Sequence, residues 1–180
     1  MHACAFLSEE HLISGSNDTK VIVWDTDSGR PLIKYDDHIT PVSSIDVCGL
    51  DGNVFASGSE DCFKVWDIRM NKACFRVFDL HNPNNVGYSA IKFMPENMCT
   101  LATGQEDGNV KVWDLRALAP VAQVSHELED YSGCTSLAFS NSGRVLFTSY
   151  KNEIIRPWDI LREKEAGNRF GETQAHTKDI

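Results

Sequence analysis

Long apolar runs, paired cysteines and surplus positive charge are all scarce in this sequence of 180 residues. No apolar stretch approaches the roughly 18 residues that a membrane-crossing helix requires, so no span is expected. The six cysteines, Cys4, Cys48, Cys62, Cys74, Cys99 and Cys134, make no Cys-x-x-Cys pair, and most sit inside apolar, strand-like runs. They read as buried free thiols of a reducing compartment, not as a disulfide framework or a zinc set. Seventeen Lys and Arg face 26 Asp and Glu, for a net charge of −9. That balance argues against the basic footprint of nucleic-acid or anionic-membrane binding, and it would suit a basic partner surface. Catalytic signatures are also missing: there is no phosphate-binding glycine loop, no dinucleotide glycine pattern, no His-Glu-x-x-His and no Gly-x-Ser-x-Gly elbow. Asp107-Gly108-Asn109 lacks the alternating oxygen ligands of a calcium loop. No enzyme activity, metal or cofactor is therefore expected. Met1-His2-Ala3-Cys4 opens on a strand-like run with no leader pattern, which makes a cytoplasmic location the expectation and leaves the Asn17-Asp18-Thr19 sequon a plain turn.

Tryptophan is scarce as well, and its placement organises the chain. All four, Trp24, Trp66, Trp113 and Trp158, are followed by aspartate, at intervals of 42, 47 and 45 residues. Four residues before each unit's turn residue stands a hydroxyl: Ser14, Ser57, Thr103 and Thr148. The turn residues are Asp18, Asp61, Asp107 and Asn152, and a histidine lies upstream at His38, His81 and His126, with His176 opening a fifth unit. A repeat of this length ending in Trp-Asp is the sequence mark of propeller blades, and the whole set resembles the WD-repeat family.

The physical logic is a local polar clamp. A blade is a small twisted sheet that cannot bury both faces alone. The expected clamp has the turn carboxylate accepting amide protons, the histidine bridging carboxylate to hydroxyl, and the indole N–H reaching that hydroxyl. A His–Ser–Asp trio that recurs unit after unit between strands reads as structure, not as a nucleophilic triad.

Apolar periodicity and turn residues predict an all-β chain of four four-stranded antiparallel blades, an incomplete seven-bladed ring, with repeats ending near Asp25, Asp67, Asp114 and Asp159. The second unit reads as strands Val42–Val47, Val54–Gly58, Lys64–Trp66 and Ala73–Phe78, and the third as Ser89–Phe93, Thr100–Gly104, Val110–Trp113 and Pro120–Val124. The fourth gives Thr135–Phe139, Arg144–Thr148, Ile154–Trp158 and an ill-defined outer strand; the first begins within Met1–Phe6. Three departures stand out. Asp61 is one residue closer to its Trp than the other turn residues are, so that hairpin is tighter or its clamp is lost. Asn152 keeps an acceptor but loses the charge. Pro157 removes a ladder donor from a central strand.

From Ala90 the resemblance narrows. Ala90-Ile91-Lys92-Phe93-Met94-Pro95, Leu101-Ala102-Thr103-Gly104-Gln105-Glu106-Asp107, Trp113-Asp114-Leu115-Arg116-Ala117 and Gly133-Cys134-Thr135-Ser136-Leu137-Ala138-Phe139-Ser140-Asn141-Ser142-Gly143-Arg144 are similar to the heterotrimeric G-protein beta-subunit family. The similarity spans nearly the whole chain and corresponds to that family's third to sixth repeats. Its amino-terminal helix, first two blades and seventh blade have no counterpart here, which makes a segment of a seven-bladed ring the expectation and a closed four-bladed ring the alternative. The resemblance implies an adaptor that holds a GTPase alpha subunit across one face and a gamma subunit elsewhere, at the inner face of the plasma membrane through those partners. By the same resemblance the alpha-contact positions fall on Pro41, Ser43, Gly87, Ser89 and Glu106, and of these only Glu106 keeps acidic character. The alternative is a WD scaffold for another multiprotein complex.

Overall fold

The computed structural model describes residues 3–70, 74–78, 86–117, 119–124, 132–160 and 173–174. These form four antiparallel sheets of four strands, with no helix among the described residues. Blade 1 is β1 (Ala3–Phe6), β2 (His11–Gly15), β3 (Val21–Asp25) and β4 (Pro31–Tyr35). Blade 2 is β5 (Val42–Val47), β6 (Val54–Ser59), β7 (Phe63–Asp67) and β8 (Cys74–Phe78). Blade 3 is β9 (Tyr88–Phe93), β10 (Thr100–Gln105), β11 (Val110–Asp114) and β12 (Pro120–Val124). Blade 4 is β13 (Cys134–Phe139), β14 (Val145–Tyr150), β15 (Ile154–Asp159) and β16, described only as Thr173–Gln174. Each is a meander in chain order, because short antiparallel strands joined by tight turns need no crossover.

The turn between the two central strands sets the register. In blades 1, 3 and 4 its third loop residue is left-handed: Thr19 (φ 67°), Gly108 (φ 86°) and Glu153 (φ 67°). A turn followed by one left-handed residue is the usual three-residue hairpin loop. Blade 2 lacks that residue. Its loop is Glu60-Asp61 alone, closed by Ser59 N–H donating to Cys62 O at 3.0 Å, and so the hairpin is the tighter one.

Successive blades pack face to face. One face of blade 1, carrying Ile13, Val21, Val23 and Tyr35, meets Val42, Phe55 and Trp66 of blade 2. The other face of blade 2, with Ala56, Phe63, Val65 and Phe78, meets Ile91, Phe93, Leu101 and Trp113 of blade 3. Blade 3 then offers Ala102, Val110 and Val112 to Leu137, Leu146 and Trp158 of blade 4. The same register positions thus recur at three interfaces. A glycine recurs too, where the next blade's inner strand crosses closest. A Cβ on Gly15 would lie 2.5 Å from Val42 Cγ1, on Gly58 2.6 Å from Ser44 Oγ, and on Gly104 against Cys134 Sγ. Blade 4 carries Ser149 in that register, opposite Ile155 as Gly104 is opposite Val110.

The inner strands share a bulge as well. Ser43, Ser89 and Thr135 are each the extra residue where the ladder slips, which turns the side chain out of the pleat. Ser43 Oγ donates to Tyr88 O (2.6 Å) and Ser89 Oγ to Cys134 O (2.5 Å), so the hydroxyl of one blade latches the inner strand of the next. At the opposite end of blades 2 and 3, Asp46 accepts Lys92 Nζ (2.6 Å) and Phe93 N–H (2.7 Å). All six cysteines are free; Cys48, Cys62 and Cys134 are buried, whereas Cys4 is exposed.

Candidate functional site

The indole N–H of every tryptophan reaches its hydroxyl. Trp24 donates to Ser14 Oγ at 2.8 Å, Trp66 to Ser57 at 2.7 Å, Trp113 to Thr103 at 2.9 Å and Trp158 to Thr148 at 2.9 Å. Each bond spans the central strand pair, where tryptophan and hydroxyl share one face of their blade.

Blade 2 carries the fullest chain of bonds. His38 Nε2 lies 2.7 Å from Ser57 Oγ, and His38 Nδ1 lies 2.9 Å from Ser59 Oγ. Ser59 Oγ donates to Asp61 Oδ1 at 2.8 Å, and Thr40 Oγ1 donates to the same oxygen at 2.6 Å. The histidine therefore does not meet the carboxylate directly; Ser59 stands between them. The count of protons fixes the tautomer. If Ser59 donates to Asp61, then His38 Nδ1–H must donate to Ser59, which leaves Nε2 as acceptor of the Ser57 O–H. Burial lowers the His38 pKa to about 4, with the Lys64 ammonium adding to that and Asp61 opposing it, so the ring is neutral near pH 7. Burial would raise the Asp61 carboxyl, but the Thr40 and Ser59 hydroxyls outweigh it and the pKa is lowered.

The other turn residues lie further out. Asp107 is half-buried and accepts Asn109 N–H (3.0 Å) and Nδ2–H (2.6 Å) within its own turn. Asp18 is exposed and accepts Lys20 N–H at 3.3 Å. Asn152 receives no proton on its buried Oδ1 among the described residues, while its N–H donates to Ser132 Oγ at 2.8 Å. His81 and His126 lie outside the described residues.

His38, Asp61 and Cys62 each offer a ligand atom within 4.8 Å of one another. The Ser59 hydroxyl already bonds both His38 and Asp61 there, and burial pushes the Cys62 thiol up to about 12. The group is a satisfied hydrogen-bond network whose thiol keeps its proton, not an open metal centre.

The five positions taken from the family resemblance all fall near the end of the blades that bears the β2–β3, β6–β7 and β10–β11 turns. Glu106 is exposed at the β10–β11 turn, and its N–H donates to Gly87 O at 3.0 Å. Gly87 is buried, and a Cβ there would stand 3.3 Å from Glu106 Cδ. Pro41 is half-buried, Ser43 exposed and Ser89 half-buried, and the two serine hydroxyls are those committed to the neighbouring blade's carbonyls. Sequence reasoning passed over Glu60. It occupies in the β6–β7 turn the place that Glu106 holds in the β10–β11 turn, is exposed, and its N–H donates to Thr40 Oγ1 at 3.2 Å. The signal was present in Ser59-Glu60-Asp61 beside Gln105-Glu106-Asp107.

At the other end of blades 2 and 3 lies a cleft of about 460 Å³ floored by Val54, Val65, Trp66 and Leu115. Of its three lining arginines, Arg69 pairs with Asp51 (2.9 Å) and Asp67 (2.6 Å), Arg116 pairs with Asp114 (2.6 Å), and Arg76 donates to Leu115 O (2.5 Å).

Repeated four-stranded meanders, joined face to face and clamped by Trp–hydroxyl bonds, define a β-propeller segment of the WD type. The family model "WD domain, G-beta repeat" matches residues 2–25, 29–67 and 72–114, and the chain belongs to the WD-repeat family. Among curated relatives it is 30% identical to guanine nucleotide-binding protein subunit beta-1 of Nicotiana tabacum over 97% of this chain and 48% of that protein. It is 31% identical to the subunit beta of Zea mays, over 85% of this chain and 42% of that one. It is also 31% identical to the subunit beta of Arabidopsis thaliana, over 88% and 44%. The chain spans about half the length of these relatives.

Proposed function

We propose that this chain is a non-catalytic protein-interaction adaptor in signal transduction, and that the turn-bearing end of its blades binds a GTPase alpha subunit. The observation that carries the reading is the continuity of the match: similarity to subunits named for guanine-nucleotide-binding proteins runs over 97% of the chain. It is not confined to the Trp-Asp marks that all WD repeats share. Glu60 and Glu106, exposed on adjacent blades, supply acidic contacts on that end. The chain acts in the cytoplasm and reaches the inner face of the plasma membrane through its alpha and gamma partners; no helix among the described residues is long and apolar enough to cross a membrane.

A pull-down of the protein with a GDP-loaded alpha subunit tests the reading. Capture of the alpha subunit is expected, and Glu106→Lys weakens it by roughly fivefold, since a rim charge contributes up to about 1 kcal/mol. Neither Ser43→Ala nor Ser89→Ala acts through lost partner contact, because both hydroxyls already serve neighbouring blades.

That same commitment of Ser43 and Ser89, with proline at position 41, favours a second reading: a WD scaffold whose partner is a different protein. Recovery of other partners with no alpha subunit would select it.

A further inference from the structure

The β6–β7 turn of blade 2 is held by a different device from its neighbours. In blades 3 and 4 the first turn residue, Glu106 or Lys151, donates its N–H to the carbonyl of the glycine that leads into the inner strand. Those acceptors are Gly87 O and Gly133 O, each at 3.0 Å. Blade 2 has Pro41 in the place of these glycines, two residues before the bulged hydroxyl, and its loop is one residue shorter. There the Glu60 N–H donates instead to Thr40 Oγ1, at 3.2 Å. The same hydroxyl donates to Asp61 Oδ1 at 2.6 Å. Its single proton is therefore committed to one loop residue while its oxygen accepts from the other, so one side chain ties the whole Glu60-Asp61 loop to the segment entering β5. The ring of Pro41 also disfavours helical backbone at Thr40, the residue before it, which stiffens the anchor.

The two carboxylates of this loop differ in what they have left to offer. Asp61 already accepts the Thr40 and Ser59 hydroxyls. Glu60 is exposed, and its carboxylate makes no hydrogen bond or ion pair among the described residues.

We propose that Thr40 is a positioning residue for partner binding, fixing the β6–β7 turn in the free protein so that the Glu60 carboxylate meets a basic side chain of the partner. The inference rests on the reading that this end of the blades binds an alpha subunit. Ordering a loop at an interface costs affinity, and an anchor already made in the free protein removes that cost. Thr40 thus acts through Glu60 and touches no partner itself.

Amide hydrogen exchange and a binding cycle with a GDP-loaded alpha subunit test this. The Glu60 amide should be protected in the unsubstituted protein and in Thr40→Ser. In Thr40→Val, which keeps the shape and loses the hydroxyl, it should exchange about fivefold faster, the worth of one neutral hydrogen bond, with the Glu106 amide unchanged. Thr40→Val should weaken alpha-subunit binding about threefold, and Thr40→Ser should restore it. Once Glu60→Gln has removed the charge, Thr40→Val should have no further effect on binding. Equal weakening with and without the Glu60 carboxylate would mean that Thr40 acts on general structure, and it overturns the proposal. So does a Glu60 amide that exchanges equally fast with and without the Thr40 hydroxyl, whatever binds. Failure of the unsubstituted protein to capture the alpha subunit is a separate result. It refutes the alpha-subunit reading and, with it, Glu60 as the contact, while exchange at Glu60 still decides the anchor.

Discussion

Mild acid should loosen this protein through one buried ring. His38 sits between two hydroxyls, and the count of protons leaves its Nε2 as an acceptor. Protonation would point an N–H at Ser57 Oγ, which already receives the Trp66 indole proton at 2.7 Å. The Ser57 hydroxyl proton would then have lost its acceptor. Lys64, whose ammonium bonds Asp37 O, adds repulsion, and only Asp61, behind Ser59, favours the cation. Unfolded, the ring has its ordinary pKa of 6.5; folded, it is lowered to about 4. The unfolded chain therefore binds the proton first, so the His38 contribution is whole above about pH 6.5 and drains away as pH falls toward 4. A gap of this size is worth about 3 kcal/mol in full, of which about 2 kcal/mol is gone at pH 5. The Asp61 carboxyl is lowered from 3.8, so its loss belongs to a more acid window and does not confuse the measurement. Urea unfolding followed by tryptophan fluorescence at pH 7 and pH 5 gives the slope, and imidazole NMR titration gives the His38 pKa directly. An imidazole that titrates above pH 6 in the folded protein would refute the reasoning, as would an equal acid slope in a folded His38→Gln variant.

The same architecture yields further expectations. Ser57→Ala strips a partner from both Trp66 and His38 and should cost about 1–3 kcal/mol in chemical denaturation. Gly104→Ala drives a methyl into the Cys134 side chain and should lower the thermal midpoint, at about 1–3 kcal/mol, whereas Gly29→Ala, with open space around it but φ at 65°, carries only backbone strain. Asp107→Ala removes an acceptor from a half-exposed turn and should cost no more than about 1 kcal/mol; a loss like that of Ser57→Ala would show that the carboxylate belongs to the buried clamp. A thiol reagent near pH 8 should modify exposed Cys4 in the folded protein and leave Cys62 and Cys134 untouched, since burial pushes both of the latter up to about 12; modification of either buried thiol at the rate of Cys4 would contradict the packing.

Trp-Asp spacing and period-two apolar runs were enough to place the strands, because both are local consequences of a half-buried pleat. Val42–Val47 and Pro120–Val124 were legible to the residue, and most other bounds fell within one residue of the strands seen. The second strand of blade 4 reads one residue early at its start and two early at its end, since Asn141-Ser142-Gly143-Arg144 carries no apolar mark of where turn yields to strand. The hydroxyl partner of each tryptophan was also readable, being set by a fixed offset across one hairpin. What lay beyond the sequence involved contacts between blades or a shift in loop length. Deleting the left-handed turn residue in blade 2 moves Ser59 into line with His38 and Asp61, which no spacing rule anticipates. Ser43 and Ser89 look like surface positions along the chain, yet a bulge turns each onto a carbonyl some 45 residues away. Periodicity tells which face of a strand is apolar; only tertiary packing decides which neighbouring blade covers that face, as blade 2 does for Phe93, Leu101 and Trp113 of blade 3.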